Sequence, residues 1–222
     1  MLTVGGDGTF IQASRRLFGR DLPMLGINMG TLGYLTEVEV QNVEEAVKQL
    51  VEGNYTIEER MMLYGSAAYR NVRDVALNDI VIGREGPLRV TRFHNFVNGE
   101  FLNSYTADGI IISTATGSTG YSLSAGGPIV SPETNILIMT PVAPHTLNTR
   151  SVIFPADDEI TVEIGEGRQK GMARAVASFD GDTNVIMTTG DRIVIRRSVR
   201  DTQIVKISNI SFLEVLRRKM KN

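Results

Sequence analysis

At about residue 61 the hydrophobic period of this chain changes, and that change restricts the fold more than any other feature. Before it, strand and helix patterns alternate. Leu2-Thr3-Val4 reads as a short buried strand and Gly5-Gly6-Asp7-Gly8 as a turn. From Thr9 to Phe18, the residues Phe10, Ala13, Leu17 and Phe18 fall at helical spacing. Residues 23–28 read as a second strand. Asn42 followed by Glu45 resembles a capping pair ahead of a helical face made by Val43, Ala46, Val47 and Leu50, which Gly53 ends. After residue 61 the period becomes two, with strands expected at 76–82, 91–97, 100–105, 159–164 and 192–197. Asn98-Gly99 and Asp180-Gly181 are hairpin signals between such runs. Helical spacing returns at 211–219 through Phe212, Val215 and Leu216. These patterns imply an α/β part, a larger β part of sandwich type and a terminal helix.

Composition removes several function classes. The net charge is −2, with no basic stripe, so nucleic acid is not an expected partner. The basic cluster Arg217-Arg218-Lys219 with Lys221 reads as a solvated last helical turn. There is no cysteine, which excludes disulfides, thiolate metal sites and a Cys nucleophile, and fits a reducing compartment. With only His94 and His145 available, a zinc site built on histidine pairs is not expected. No apolar run reaches membrane-spanning length and no signal peptide is visible, so the expectation is a soluble cytoplasmic protein.

The loop Gly5-Gly6-Asp7-Gly8-Thr9 lies between a strand and a helix. Glycines there let backbone N–H groups approach an anion, and the helix aims its positive end at the same point. Asp7 would help to hold Mg²⁺ riding on phosphates, or accept a proton from an attacking hydroxyl. The competing reading is a tight turn in which Asp7 caps the helix. Residues 107–132 form a second cluster, in which a strand from Gly109 runs into small and hydroxylated residues. Such a stretch offers many short donors and acceptors to a polar ligand, and Tyr121 could lie along a flat ring. A Ser/Thr-rich surface loop would have the same composition.

The glycine loop resembles the Gly-Gly-Asp-Gly-Thr signature of NAD kinases, of diacylglycerol and sphingosine kinases and, more loosely, of phosphofructokinases. The second cluster separates these. Asp108-Gly109, then Ser113-Thr114-Ala115-Thr116-Gly117-Ser118-Thr119-Gly120-Tyr121-Ser122-Leu123-Ser124-Ala125-Gly126-Gly127-Pro128, is similar to the long motif of the NAD kinase family. Leu77-Asn78-Asp79-Ile80-Val81 matches the family's Asn-Glu pair on a strand. Residues 141–155, with Pro141, Pro144, His145 and Arg150, continue the resemblance over essentially the whole chain.

The resemblance implies a kinase that phosphorylates the 2′-hydroxyl of the adenosine ribose of NAD, with ATP or polyphosphate as donor and Mg²⁺ or another divalent cation carried on that donor. Asp7 would be the catalytic acid-base residue, with Gly8 beside NAD and Gly5, Gly6, Gly8 and Thr9 as the phosphate loop. Asn78 and Asp79 would bind the adenosine end, and Asp108 the nicotinamide carboxamide. Thr119, Gly120, Tyr121, Ser122, Leu123 and Ser124 would line the adenine and ribose pocket. Arg89 and Asp182 stand where the family often has a basic residue and Gln. No metal ligand set is implied. Further departures are Thr106 in place of Arg, Ala115 in place of Pro and Gly120 in place of Ala.

The implied fold is α/β plus all-β. A Rossmann-like α/β domain (residues 1–60 with 208–222) is followed by a β-sandwich-like NAD-binding domain (61–207). The α/β part reads as truncated, because the chain opens inside a strand directly before the glycine loop. Uncovered sheet in such a unit implies self-association, as a dimer or tetramer. It also implies an alternative function, an NAD(P)-binding module with little kinase activity.

Overall fold

A computed structural model of the chain describes residues 1–30, 33–86, 91–146, 149–167, 172–208 and 210–220. They cluster in two compact units, Met1–Arg60 with Arg200–Asn222, and Met61–Val199.

The first unit begins with β1 (Leu2–Val4), α1 (Asp7–Arg16), β2 (Leu25–Asn28), β3 (Val38–Glu39), α2 (Val43–Glu52) and β4 (Thr56–Arg60). Strands β1, β2 and β3 form a parallel sheet in that order. Each of the four β2 residues is buried, the pattern of a parallel strand covered on both faces. Helix α1 starts two residues earlier than the expected Thr9, because Gly6 is the N-cap and Asp7 the first helical residue. Its buried residues are Phe10 and Ser14, while Phe18, expected on the same face, is exposed beyond the helix end. The expected Asn42 cap is corrected as well. Asn42 closes a short 3₁₀ turn and its side chain makes no capping hydrogen bond. Gly53 does end α2, in the left-handed conformation at φ 76°.

The second unit contains β5 (Leu63–Ala67), β6 (Val72–Ala76), β7 (Asp79–Arg84), β8 (Thr91–Val97), β9 (Glu100–Ala107), β10 (Gly109–Ser113), the short helix α3 (Tyr121–Ser124), β11 (Ile136–Val142), β12 (Val152–Pro155), β13 (Ile160–Ile164), β14 (Arg174–Phe179), β15 (Thr183–Thr188) and β16 (Arg192–Arg197). They build two six-stranded antiparallel sheets, in the orders β6-β5-β16-β13-β8-β9 and β12-β11-β10-β7-β14-β15. Alternate residues of both sheets meet in one apolar cluster. Leu63, Phe93, Val162 and Ile195 come from one sheet, and Ile80, Ile82, Ile110, Ile112 and Phe179 from the other. At Gly65 the faces approach so closely that a Cβ would lie 2.6 Å from the Phe179 ring. Asn98 with Gly99, and Asp180 with Gly181, both have positive φ at their two turn residues, as type I′ hairpins require.

Two expectations change here. The run 76–82 is not one strand: β6 ends at Ala76, β7 starts at Asp79, and the two belong to different sheets. Residues 200–207, placed in the β part by the bounds 61–207, return to the first unit, because β17 (Thr202–Lys206) pairs antiparallel with β4. The chain then enters α4 (Phe212–Lys219), capped by Ser211, whose hydroxyl accepts the Glu214 N–H at 3.2 Å. Val205 joins Leu25, Ile27, Val38 and Ala46 in the core of this unit.

Candidate active site

In the first unit the geometry centres on Asp7. Gly5 leaves β1 at φ 152°, and its N–H donates to Ile27 O at 2.9 Å. A Cβ at Gly5 would lie 2.4 Å from Thr9 Oγ1, so the loop and the first turn of α1 are packed against each other. The Asp7 carboxylate is held by two backbone donors across the sheet. Oδ2 accepts the Tyr34 N–H at 2.8 Å and Oδ1 the Leu35 N–H at 3.0 Å. Gly33 makes this approach possible, since a Cβ there would sit 1.9 Å from Asp7 Oδ1. Asp7 therefore does not cap its own helix; its carboxylate is fixed from outside with lone pairs left over. Tyr34 carries a hydroxyl whose pKa is raised, by burial first and then by the Asp7 charge.

In the second unit the geometry centres on the corner between β6 and β7. The Asp180 carboxylate accepts three consecutive backbone N–H groups, from Leu77 at 2.7 Å, Asn78 at 2.9 Å and Asp79 at 3.0 Å. The Asp180 N–H donates back to Asp79 O at 3.0 Å. From the other side, Thr114 Oγ1 donates to Leu77 O at 2.7 Å and the Thr114 N–H to Asn78 O at 2.9 Å. These bonds replace the ladder that a continuous strand would have made, which is why 76–82 breaks. Gly117 closes the corner: a Cβ there would lie 2.1 Å from Asn78 O. A Cβ at Gly120 would lie 3.5 Å from Asn78 Nδ2 and 3.9 Å from Asp79 Oδ2. The side chains of Asn78 and Asp79 thus converge on the Thr119–Gly120 turn.

Asp79 is buried, and its pKa is pushed up to about 7, by burial first and then by the neighbouring Asp180 charge. For a carboxyl raised from 3.8, the folded state binds more protons than the unfolded chain between those two values. Stability should therefore fall as pH rises from about 4 to about 7 and level off above, a loss of the order of 4 kcal/mol. Asp79→Asn should remove this component. Urea midpoints measured from pH 4 to 8 should show the variant gaining on the parent up to about pH 7; parallel curves would refute an elevated Asp79 pKa.

The other candidate residues are distributed as follows. Ser122 is fully buried, and its hydroxyl pairs with Thr140 at 3.1 Å, which in turn pairs with Ser151 at 2.9 Å. Ser113, Thr114, Thr116 and Ser118 are buried too, so the hydroxyl-rich stretch is mostly internal framework rather than a solvated loop. Thr119 is half-buried, and Tyr121, Leu123 and Ser124 are exposed on α3. Asp108 stands apart from Asn78 and Asp79. It precedes β10, whose far end pairs with Asp79, so the two sites are a strand length of about 17 Å apart. Asp108 is half-exposed and accepts from Arg84 Nε at 2.7 Å. Asp182 is exposed in the β14–β15 turn, beyond Asp180. Arg89 lies outside the described residues, as does Lys221. Among the described residues no group of three or more His, Asp or Glu is placed to hold a metal ion. No described helix is long and apolar enough to cross a membrane.

Gly33, Thr114 and Asp180 were not among the candidates. The signals were faint: an isolated glycine between two strands marks a close backbone approach, and Asp180 was legible as a hairpin residue and as the family Asp ahead of Asp182, with no role of its own.

Comparison with known proteins adds the following. Residues 1–55 match the family model of the ATP-NAD kinase N-terminal domain, and residues 77–207 that of the ATP-NAD kinase C-terminal domain. The chain is 51% identical to the NAD kinase of Lachnospira eligens, over 99% of this chain and 79% of that protein. It is 48% identical to the NAD kinase of Agathobacter rectalis, over 100% of this chain and 78% of that one. Among solved structures, yeast NADH kinase complexed with NADH superposes with a TM-score of 0.89 at 29% identity, over 99% of this chain and 65% of that chain. An Archaeoglobus fulgidus NAD kinase in complex with ATP gives 0.81 at 29% identity, over 99% of this chain and 80% of that chain.

Proposed function

This chain belongs to the NAD kinase family, and on that premise we propose that it phosphorylates the 2′-hydroxyl of the adenosine ribose of NAD, with Asp7 as the group that takes the proton. The observation that carries the reading is the Asp7 carboxylate, fixed by the N–H groups of Tyr34 and Leu35 at the start of α1. In the proposed reaction a bond forms between the ribose oxygen and the terminal phosphorus of the donor, the bond from that phosphorus to its bridging oxygen breaks, and the hydroxyl proton passes to Asp7. Positioning and charge neutralisation supply most of the rate. The glycine loop, with Gly5, Gly6, Gly8 and Thr9, gives the donor phosphates backbone N–H groups at a helix start. A divalent cation carried on those phosphates would supply neutralisation of their charge.

On the same reading Asn78 and Asp79, beside Thr119 and Gly120, take the adenosine end of NAD, with Tyr121, Leu123 and Ser124 on the exposed side of the turn. Ser122 supports that turn from behind, through Thr140. Asp108, a strand length away, is suited to the other end of an extended dinucleotide. Arg89 and Asp182 belong to the proposal as flanking residues. Self-association as a dimer or tetramer is supported by Phe101 and Leu102, both exposed on the edge strand β9. A cytoplasmic setting fits a chain without cysteine.

The test is direct. The purified chain is given NAD, Mg²⁺ and either ATP or polyphosphate, and NADP is followed with an NADP-specific dehydrogenase. Steady formation of NADP with at least one donor is expected. NAD binding by calorimetry with no NADP from either donor would contradict the reading and favour the binding-only module.

A further inference from the structure

The loop that holds Asp7 is itself held, from its opposite end, by the last part of the chain. Glu37 lies two residues beyond Leu35, and its side chain is only 5% exposed. Glu37 Oε2 forms an ion pair with Lys206. Oε1 accepts the Ser208 N–H at 2.7 Å, the Ser208 hydroxyl at 2.7 Å and the Ile207 N–H at 3.3 Å. The Glu37 N–H donates to Gly26 O at 2.9 Å, which seats the same residue against β2. Tyr34, whose N–H holds Asp7, has its ring 6.0 Å from that of Phe212 and 4.9 Å from the Lys219 ammonium, both on α4. Segment 33–37 therefore holds the Asp7 carboxylate and is itself held by Lys206, Ile207, Ser208, Phe212 and Lys219. A buried carboxylate with this many donors fixes backbone position more tightly than a fold-stabilising apolar contact at the same place would.

We propose that Glu37 is a positioning residue for Asp7: by anchoring segment 33–37 to residues 206–208 it keeps the Tyr34 and Leu35 N–H groups aimed at the Asp7 carboxylate. The inference rests on the reading of Asp7 given above. Glu37 touches neither substrate nor the reacting atoms in this scheme and acts only through the loop.

The test is a double-mutant cycle on the full chain with Asp7→Asn and Glu37→Gln. Glutamine keeps the shape and, with its oxygen on Ile207 and Ser208, turns an uncharged amide donor toward Lys206, so the ion pair is lost. In the parent background Glu37→Gln should lower kcat about 10-fold and leave the NAD dissociation constant within about 2-fold. In the Asp7→Asn background it should change kcat by less than about 2-fold, because the group it positions is gone. Amide exchange should quicken about 10-fold at Tyr34 and Leu35 while Ile27 stays protected. Where Glu37→Gln does not fold, Ser208→Ala removes the hydroxyl that donates to Glu37 Oε1 and accepts the Ile210 N–H, and should show the same pattern at about 3-fold. An unchanged kcat in a folded variant, or equal losses in both backgrounds, would overturn the proposal. An Asp7→Asn variant with normal turnover would instead overturn the underlying reading.

Discussion

Replacing Asp180 by alanine should cost about 3–5 kcal/mol of stability and lower NAD affinity by at least about 30-fold. The Asp180 carboxylate takes three successive N–H groups at the point where the chain passes from one sheet to the other. Leu77 and Asp79 are both buried, so two of those donors have little access to water once the acceptor is lost. Each unmade buried hydrogen bond costs about 1–3 kcal/mol. Asp180 also sits at φ 48°, a conformation that aspartate tolerates and alanine resists by about 1 kcal/mol. One effect works in the other direction, since Asp180 is a negative neighbour of the buried Asp79 and its removal relieves that repulsion. Asp180→Asn separates the two: it removes the charge, keeps one acceptor oxygen and should lose less than half as much. Urea unfolding and calorimetric titration with NAD measure both quantities. A loss below about 1 kcal/mol with unaltered NAD affinity would mean that the strands hold the corner without Asp180.

The same corner shows where the sequence stops being legible. The hairpins at Asn98-Gly99 and Asp180-Gly181 could be read because a type I′ turn demands particular residues at its own two positions. The run 76–82 reads as one strand by its apolar content, although the polar pair Asn78-Asp79 interrupts it at the change of sheet. What divides it is a carboxylate about a hundred residues later and a threonine at position 114. Asp7 behaves similarly. Its glycine loop was visible in the sequence, whereas its partners are backbone N–H groups 27 and 28 residues away, which no side-chain pattern announces. The Asn42 cap failed for the opposite reason, since a suitable residue stood in a suitable place but the preceding 3₁₀ turn set its backbone otherwise. The placing of 200–207 in the β part followed from their position directly after the strand at 192–197. A period reports a strand, not the strand with which it pairs. In the hydroxyl-rich stretch the residue types were legible but their direction was not: Ser122 and Ser118 turn their hydroxyls inward, while Ser124 stays at the surface.

Asp7→Asn should lower the rate of phosphoryl transfer at least 100-fold, about 2.7 kcal/mol in the barrier, while NAD binding stays within about 3-fold. The two effects separate because the side chains assigned to the adenosine and nicotinamide ends all belong to the second unit, whereas Asp7 belongs to the first. Asparagine retains the size of aspartate but cannot take up the ribose proton. Its amide also presents a donor to one of the two N–H groups, from Tyr34 or Leu35, that a carboxylate accepts. A modest drop in stability, about 1–2 kcal/mol, should therefore accompany the variant without unfolding it. The decisive measurement is a single-turnover chemical-quench experiment at saturating NAD and donor, which reads the transfer step free of binding and product release. The account predicts a transfer rate at least about 100-fold below the parent, with NAD bound as tightly as before. A transfer rate within about 3-fold of the parent, at equal NAD occupancy, would contradict it and place the proton acceptor elsewhere.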